Sequence, residues 1–404
     1  EGIKDRLYAK AAIIGDGGSF VAIIALDTIG IEQEEVSAIR GKVTEATGIP
    51  ASHILVAATH THTGGPVYRD LWPYSGEYTA LLVNRAAEAA IAAFRNKRPA
   101  RIGFAAGTEA GISFNRRYFM RDGTVRTNPG YGNPDIVSPA GPIDPDVFVM
   151  RIDDADGGPL GLVTNFACHV DTIGGNRYSA DYPGELGRVL KAVYGESFVG
   201  LFLNGACGNI NHHHFMGTEK PDAGTYRKIG RVLAGESVKL REKAVTSQNL
   251  LVRAASVAVF LDVRQPTSEQ IAQAEALLRE EGLPERASTD ADLFFARQIL
   301  TLRDRGETNA LAEIQVFRIG DAAVVAFPCE LFVEFGIDLK RRSPAAQTFL
   351  AAYANGANGY VATREAFQQG GYETRLTSRT RLAPDSGERM VSAALGLLEE
   401  LFRT

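Results

Sequence analysis

The residues with the clearest chemical potential are two histidines in the run THTHTGG at positions 59–65. His60 and His62 directly follow the apolar segment 53–58, whose composition is typical of a buried strand. In an extended chain the side chains of residues i and i+2 point to the same side, so both imidazoles can face one pocket. Neutral imidazole is the commonest metal ligand and also carries protons near neutral pH. The pair therefore predicts a metal or catalytic site, the alternative being two hydrogen-bonded structural histidines.

A third histidine, His169, occupies the same kind of position. It follows the strand-like segment 161–167. Loops just beyond strand ends gather substrate sites in α/β proteins, so we expect His169 to share a site with His60 and His62. Asp181, in the loop that comes next, has two interpretations. It caps the helix that begins there, or it supports His169 from behind.

A glycine-rich turn with three consecutive histidines follows the strand-like segment 198–204. The backbone N–H groups of such a turn can bind an oxyanion or a phosphate. His212, His213 and His214 are internal, so they are not a terminal purification tag. Either one of them belongs to the active site, or the three form a solvated polar loop.

The elements that must position these residues alternate between strand-like and helix-like patterns. Segments 7–27 and 314–327 each read as a hairpin around a glycine-containing turn. The polar segment 267–305 is typical of a helical pair. The alternation predicts an α/β protein. The hairpins favour layered mixed β-sheets flanked by helices over a purely parallel sheet.

The composition narrows the class of partner. Of the 404 residues, 45% are hydrophobic and 23% charged, which is the profile of a soluble globular protein. A net charge of -5 without a basic block argues against nucleic acid and leaves a small-molecule substrate. The sequence contains no run of about 18 apolar residues, so it predicts no transmembrane helix. Whether the protein forms a homo-oligomer remains open. Its location also remains open, and is either secreted or periplasmic, with a signal removed, or cytoplasmic.

The segment 58–66 also resembles the signature of the neutral/alkaline (non-lysosomal) ceramidase family. Other segments resemble motifs of that family in the same order, so the resemblance spans residues 2–375. Each motif is short, but the combination is specific. The matching segments are residues 2–11, Asn115-Arg116, residues 142–151, FACH at 166–169, SADY at 179–182, FPCE at 327–330, and YVATREAF at 360–367 with Tyr372-Glu373.

The resemblance implies a zinc ion as cofactor and a role for several residues. Its ligands would be His60, His169, Glu330 and Tyr360. Nitrogen and oxygen ligands with an open position are typical of catalytic zinc. The other residues that the resemblance implicates would face the substrate, and they are His62, Arg116 and Tyr372.

The sequence departs from the family at two places. Asn211 stands where the family has a catalytically important serine, and an amide can donate a hydrogen bond or hold a water but cannot form an alkoxide. The family also carries a C-terminal β-sandwich that we do not expect here. We predict that residues 1–404 form a single ceramidase-like catalytic domain, with a helical insertion at 260–310.

The resulting prediction is a zinc-dependent hydrolase that cleaves an amide (N-acyl) bond through a metal-activated water. His62, or one of the histidines at 212–214, would carry the proton, and Asn211 would bind an oxyanion or the water. Two alternatives remain. One is a metal-dependent glycosidase, esterase or lyase for a small polar or sugar-like substrate. The other is a non-catalytic binding protein.

Overall fold

A computed structural model describes residues 2–71, 73–280 and 291–403. The α-helices of these residues are α1 Gln33–Thr47, α2 Gly76–Arg95, α3 Asp181–Tyr194, α4 Thr225–Lys243, α5 Ser268–Glu280, α6 Ala291–Arg305, α7 Val333–Arg342, α8 Arg364–Gln369 and α9 Ser386–Phe402. Single 3-10 turns cover Ala51–His53 and Tyr372–Thr374.

The strands of the same residues include long strands and several very short ones. They are β1 Ala9–Gly15, β2 Phe20–Leu26, β3 Ile54–Ala58, β4 Ala100–Thr108, β5 Phe114–Asn115, β6 Arg117–Met120, β7 Val125–Thr127, β8 Ile136–Pro139, β9 Asp146–Asp154, β10 Pro159–Phe166, β11 Val199–Asn204, β12 Ile210–Asn211, β13 Thr246–Ser247, β14 Val252–Asp262, β15 Asn309–Ile319, β16 Ala322–Ala326, β17 Glu330–Leu331, β18 Gln347–Ala351 and β19 Tyr360–Val361.

Three sheets dominate the fold, and each is mixed. Their strand orders are β1-β2-β3, β11-β10-β9-β4-β13 and β14-β15-β16-β18. In each sheet one neighbouring pair is parallel, namely β2 with β3, β10 with β11 and β16 with β18. The predicted fold class, layered mixed β-sheets flanked by helices, is confirmed.

The three sheets share one apolar core, and helices cover their outer faces. The shared core takes buried side chains from all three sheets, among them Ile23, Val163 and Val324. Outside it, α1 and α2 cover the first sheet, α3 and α4 the second, and α7 and α9 the third. Strands whose two faces are both buried read as continuous apolar runs, and β3 (ILVAA) is such a strand.

Both predicted hairpins form. In β1-β2, Gly15 pairs with Phe20, and in β15-β16, Ile319 pairs with Ala322 across Gly320 at φ 61°. A glycine suits that turn because a positive φ strains a residue with a Cβ. The predicted helical pair within 267–305 is confirmed as α5 and α6, with residues 281–290 of that segment outside the described ones.

Residues Glu330–Leu331 form strand β17, which pairs in parallel with β19, and helix α7 begins two residues later at Val333. A two-residue strand is held by its partner and has no periodicity of its own, so the apolar run alone does not reveal it. Among the described residues, no helix is both long enough and apolar enough to span a bilayer.

Candidate metal centre

Two of the four residues suggested as metal ligands follow strands of different sheets, and the other two begin the paired strands of a third sheet. His60 is two residues beyond β3 of the three-stranded sheet, and His169 is three residues beyond β10 of the five-stranded sheet. Glu330 begins β17 and is the direct register partner of Tyr360 in β19. The site is therefore assembled from separate parts of the chain by the packing of the sheets.

Three donor atoms converge at distances that suit a metal ion. The Glu330 Oε2 atom lies 3.6 Å from His60 Nε2 and 3.5 Å from His169 Nε2. Zinc bonds of about 2.0–2.1 Å at tetrahedral angles would put two donors roughly 3.3 Å apart. The observed spacings are within a few tenths of an ångström of that value, so these residues fit a zinc ion without large movement.

The backbone fixes which nitrogen of each buried imidazole points inward. The Nδ1 atom of His60 lies 2.6 Å from the Ile29 carbonyl oxygen, and that of His169 lies 2.8 Å from the Cys207 carbonyl oxygen. A carbonyl oxygen only accepts, so each Nδ1 carries the hydrogen and donates it. The Nε2 lone pairs are left for a metal, which is the arrangement that outer hydrogen bonds impose on metal-binding histidines.

Burial keeps both imidazoles neutral. It lowers the pKa of His60 well below its usual value, although the nearby Glu330 carboxylate opposes this shift. Burial and, after it, the Arg116 guanidinium lower the pKa of His169 to about 3. A metal binds the neutral ring, so the site accepts a cation near neutral pH without first losing a proton from either histidine.

The Glu330 carboxylate gives the strongest indication of a binding site for a cation. Its Oε2 atom is buried and has no hydrogen-bond partner among the described residues. A buried carboxylate oxygen without a partner is costly. A cation between this oxygen and the two imidazoles would remove that cost, so these donors suit a metal ion.

The backbone at His60 is strained in a way that belongs to the site. His60 has φ 72°, and Tyr353, whose ring stacks on the His60 ring at a centroid distance of 3.8 Å, has φ 56°. Such conformations cost on the order of 1–3 kcal/mol for residues with a side chain and collect at functional sites. Packing by Tyr353 therefore helps to hold the His60 ring in an otherwise unfavourable pose.

His62 differs from the two buried histidines because its side chain is exposed. Its Nε2 atom lies 3.2 Å from His60 Nε2, and His60, His62 and His169 have ring nitrogens within 4.8 Å of one another. Geometry therefore allows His62 either to be a ligand or to act on a substrate beside the ion. Its exposure favours the substrate-facing role that the sequence predicted.

Tyr360 and Arg116 lie against the other side of the cluster. The Tyr360 ring is nearly parallel to that of His169, and the Arg116 guanidinium carbon lies 5.3 Å from the centre of the Tyr360 ring. Burial raises the pKa of Tyr360 well above the usual range, with Arg116 opposing it. A bound metal ion would oppose this shift and favour the anionic form that a tyrosine ligand needs.

Arg116 is buried and held by several partners. Its guanidinium donates to Glu373 at 2.8 Å and to the Gly208 carbonyl at 2.7 Å. One nitrogen also lies 3.4 Å from His169 Nε2, a long contact that competes for the lone pair a metal would use. Arg116 therefore lies behind the metal cluster and does not line the cavity in front of it.

The cavity in front of the cluster has a volume of about 160 Å³. His60, His62, Glu330 and Tyr360 form its inner end. Tyr372, which the sequence predicted to lie near the substrate, is on its wall and half-exposed. Other aromatic and apolar side chains complete the wall, and they include Tyr68, Leu71, Phe294, Phe295 and Tyr353.

Asn211 and the histidine triplet lie elsewhere. The Asn211 amide donates to Asn128 and accepts from the His213 backbone N–H, both at 3.0 Å. None of the residues 211–214 lines the cavity, while His212 and His214 line a separate open groove. The oxyanion or water role of Asn211 stays a prediction, and its side chain as observed is occupied by these two partners.

Asp181 supports the loop after His169 and not the histidine itself. Its carboxylate accepts from the Thr172 hydroxyl and from the Ile173 backbone N–H, and also from the Tyr182 backbone N–H in the first turn of α3. Asp181 therefore satisfies one N–H at the start of the helix, as the capping interpretation expected, and it reaches His169 only through the chain that follows that residue.

The sequence did not predict several residues that line the cavity, and these come from three segments of the chain. Tyr353 lies in a segment after β18, a strand that was not predicted, while Phe294 and Phe295 belong to the helical pair. Arg375 lies two residues beyond a segment matched by resemblance. The residue types gave no signal for these positions, and only the contacts of the folded chain bring them to the cavity.

Comparisons with known proteins agree on the fold. No family model matches the chain, and no curated protein matches it in sequence. A solved structure of neutral ceramidase from Pseudomonas aeruginosa is 18% identical, with a TM-score of 0.68, over 98% of this chain and 73% of that one. A ceramidase described as complexed with C2 is 17% identical, with a TM-score of 0.69, over 98% and 74%. The chain therefore has the neutral ceramidase fold.

Proposed function

We propose that this protein is a zinc-dependent hydrolase that cleaves an amide (N-acyl) bond in the cavity in front of His60, His169, Glu330 and Tyr360. The observation that carries the proposal is the buried, unpartnered Glu330 oxygen between two neutral imidazole nitrogens. The neutral ceramidase fold supports it, because the solved proteins with this fold are described as ceramidases.

The residues around the cavity have different roles in such a reaction. A zinc ion held there would act as a Lewis acid and lower the pKa of a water molecule. His62, exposed at the inner end of the cavity, carries a proton between solvent and the reacting atoms. Tyr372 contacts the substrate from the wall. Arg116 is a positioning residue, since its bonds to Glu373 and Gly208 hold it against His169 and Tyr360.

Asn211 contributes indirectly. Its amide ties together Asn128 and the backbone of His213. The neighbouring Ile210 carbonyl lies 3.1 Å from His169 Nδ1 and thus helps to orient that ring. We therefore assign Asn211 the role of fixing the loop behind His169, in place of the oxyanion role expected from its type alone.

The test combines metal content with a substrate panel. The purified chain, expressed with added zinc, is analysed by elemental mass spectrometry and assayed against short N-acyl amides, esters and glycosides in parallel. We expect about one zinc per chain and turnover of amides. His60→Ala should lose both, whereas His53→Ala removes a ring that bonds the Phe20 carbonyl and does not line the cavity, so it should lose neither. A wild-type protein that takes up no metal would contradict the proposal.

A second candidate keeps the metal and changes the bond, to an ester, a glycoside or a lyase substrate that is small and polar. The cavity volume favours it, because about 160 Å³ is below the 300–1,000 Å³ that is typical for drug-sized ligands. The same panel separates the two candidates by which class turns over. Zinc binding without turnover of any class would instead favour a non-catalytic binding protein.

A further inference from the structure

Two arginines of the segment after the Tyr372 turn line the cavity, and they differ in their partners. Arg379 is largely buried and bonds both Glu32 and Asp70. Arg375 is 46% exposed, and among the described residues the one carboxylate within 4 Å of its guanidinium is that of Asp292, at 3.7 Å and itself 77% exposed. Among these residues, the charge of Arg379 is therefore matched by two close carboxylates, whereas that of Arg375 has one distant, exposed partner.

Arg375 is nevertheless held in place. Its guanidinium carbon lies 3.4 Å from the centre of the Phe295 ring, and Phe295 in turn packs edge-on against Tyr372 at a centroid distance of 6.2 Å. Stacking on an aromatic face pre-organises a guanidinium and leaves its edge of N–H donors free. That edge is the group that recognises a carboxylate in a two-bond geometry.

The cavity joins this cation to the metal cluster. Arg375, Phe295 and Tyr372 line the same space as His60 and Glu330. Six Phe and Tyr rings contribute to its walls, its volume is about 160 Å³, and its second arginine is already neutralised. A small molecule that reaches the metal with one end would therefore pass aromatic rings and meet, among the described residues, one weakly paired positive charge.

We propose that Arg375, stacked on Phe295, binds an anionic group of the substrate, so that the site accepts a small acid with an apolar or aromatic body and not a neutral two-chain lipid. This inference rests on the proposed function only for the bond that is cut. The anion-binding role itself is a property of the cavity and can be measured without turnover.

The test compares two probes that differ in charge. Binding of 3-phenylpropanoate and of its neutral analogue 3-phenylpropanamide to the zinc-loaded protein is measured by calorimetry. In Arg375→Gln we expect binding of the acid to weaken about tenfold, the lower end of the effect of a charge-assisted hydrogen bond because the side chain is half-exposed. Binding of the amide should change less than twofold.

The matched control is Arg364→Gln. Arg364 is also an exposed arginine with loosely held acidic partners, Asp385 and Glu388, but it does not line the cavity. This variant should bind both probes as the wild type does. If Arg375→Gln binds the acid as tightly as the wild type, the carboxylate sits on the metal or elsewhere, and the inference is overturned. It is equally overturned if the wild type prefers the neutral probe.

The outcomes also separate the inference from the proposed function. If Arg375-dependent binding is found but no N-acyl amide is hydrolysed, the amide hydrolase proposal fails and the anion-binding role stands. If amides are hydrolysed but the acid binds independently of Arg375, the hydrolase stands and the inference fails. Hydrolysis of N-acetylphenylalanine in preference to N-acetylphenethylamine, which lacks only the carboxylate, would support both.

Discussion

His60, His62 and His169 have ring nitrogens within 4.8 Å of one another, although the first and the last are 109 positions apart in the chain. His212, His213 and His214 are consecutive, yet each faces a different partner. His212 bonds Asp171 at 3.0 Å, His213 bonds the Tyr131 hydroxyl at 3.0 Å, and the His214 ring stacks on Phe114 at 4.4 Å. We call the first set the convergent group and the second the dispersed group.

The difference shows what makes a histidine available to a metal. In the convergent group, backbone carbonyls hold Nδ1 of His60 and His169 and leave Nε2 pointing at an unpartnered carboxylate oxygen. In the dispersed group each ring also has a partner, but the three partners lie apart, and among the described residues it is the convergent group whose ring nitrogens lie close enough together to hold one ion. An outer partner of either kind, carbonyl or carboxylate, is compatible with metal binding, so what distinguishes the convergent group is that its inward nitrogens meet the Glu330 oxygen.

Removing one imidazole from the convergent group is the most direct test of the division into two groups. In His169→Ala the remaining donors should bind zinc at least about 100-fold more weakly, because loss of even an outer partner of a ligand costs about 10- to 100-fold. Hydrolytic activity should fall with it. Competition with a coloured chelator measures the affinity, and His213→Ala is the control expected to keep it. Equal loss in both variants would contradict the division into two groups.

The pH dependence of the free energy of unfolding is a second test of the difference between the two groups. In the metal-free protein, burial lowers the pKa of His169 to about 3, whereas the unfolded chain titrates near 6.5. Between these values the unfolded state binds more protons, so the stability contributed by neutral His169 is complete above about pH 6.5 and is lost as the pH falls towards 3. The effect is on the order of several kcal/mol.

Urea unfolding of the metal-free protein between pH 4 and 8 measures this dependence. His169→Gln should flatten the fall below pH 6.5 by about one proton. Burial also lowers the pKa of His213, to about 4, so His213→Gln should flatten it over a narrower range. If His169→Gln instead made the fall in stability below pH 6.5 steeper, His169 would gain a proton on folding, opposite to our assignment.

The residues of this site differ in how well the sequence predicts them, because some are positioned by local structure and others by tertiary contacts. His60 and His169 were predictable from the residues alone, since each follows a buried strand and histidine is scarce. Glu330 and Tyr360 came only through resemblance, because β17 and β19 are two residues long and depend on each other. The long hairpins were predictable because their alternation and turn glycines are local. Tyr353 and Phe295 were not, because only tertiary packing brings them to the cavity.

Within the dispersed group, His212 should have the largest effect on folding. Its bond to Asp171 is part of a buried pair: burial alone would raise the pKa of Asp171, but the hydrogen bond from His212 and the nearby imidazoles hold it below its usual range. His212→Ala should lower the free energy of unfolding by about 1–2 kcal/mol, as expected when a partly buried carboxylate loses a partner. Zinc affinity should stay within twofold of the wild type, and a tenfold loss would link His212 to the metal.

The smallest effect is expected for His214, whose side chain is exposed and whose main contact is the stack on Phe114. His214→Ala should lower the free energy of unfolding by about 0.5–1 kcal/mol, the usual size of an aromatic pair. His214→Phe keeps the stack and removes the ring nitrogens, so it should restore most of the loss if stacking is what His214 provides. Zinc content should be unchanged in both variants. If His214→Phe instead kept the wild-type free energy of unfolding but lost zinc or activity, a ring nitrogen of His214 would be implicated in the metal site.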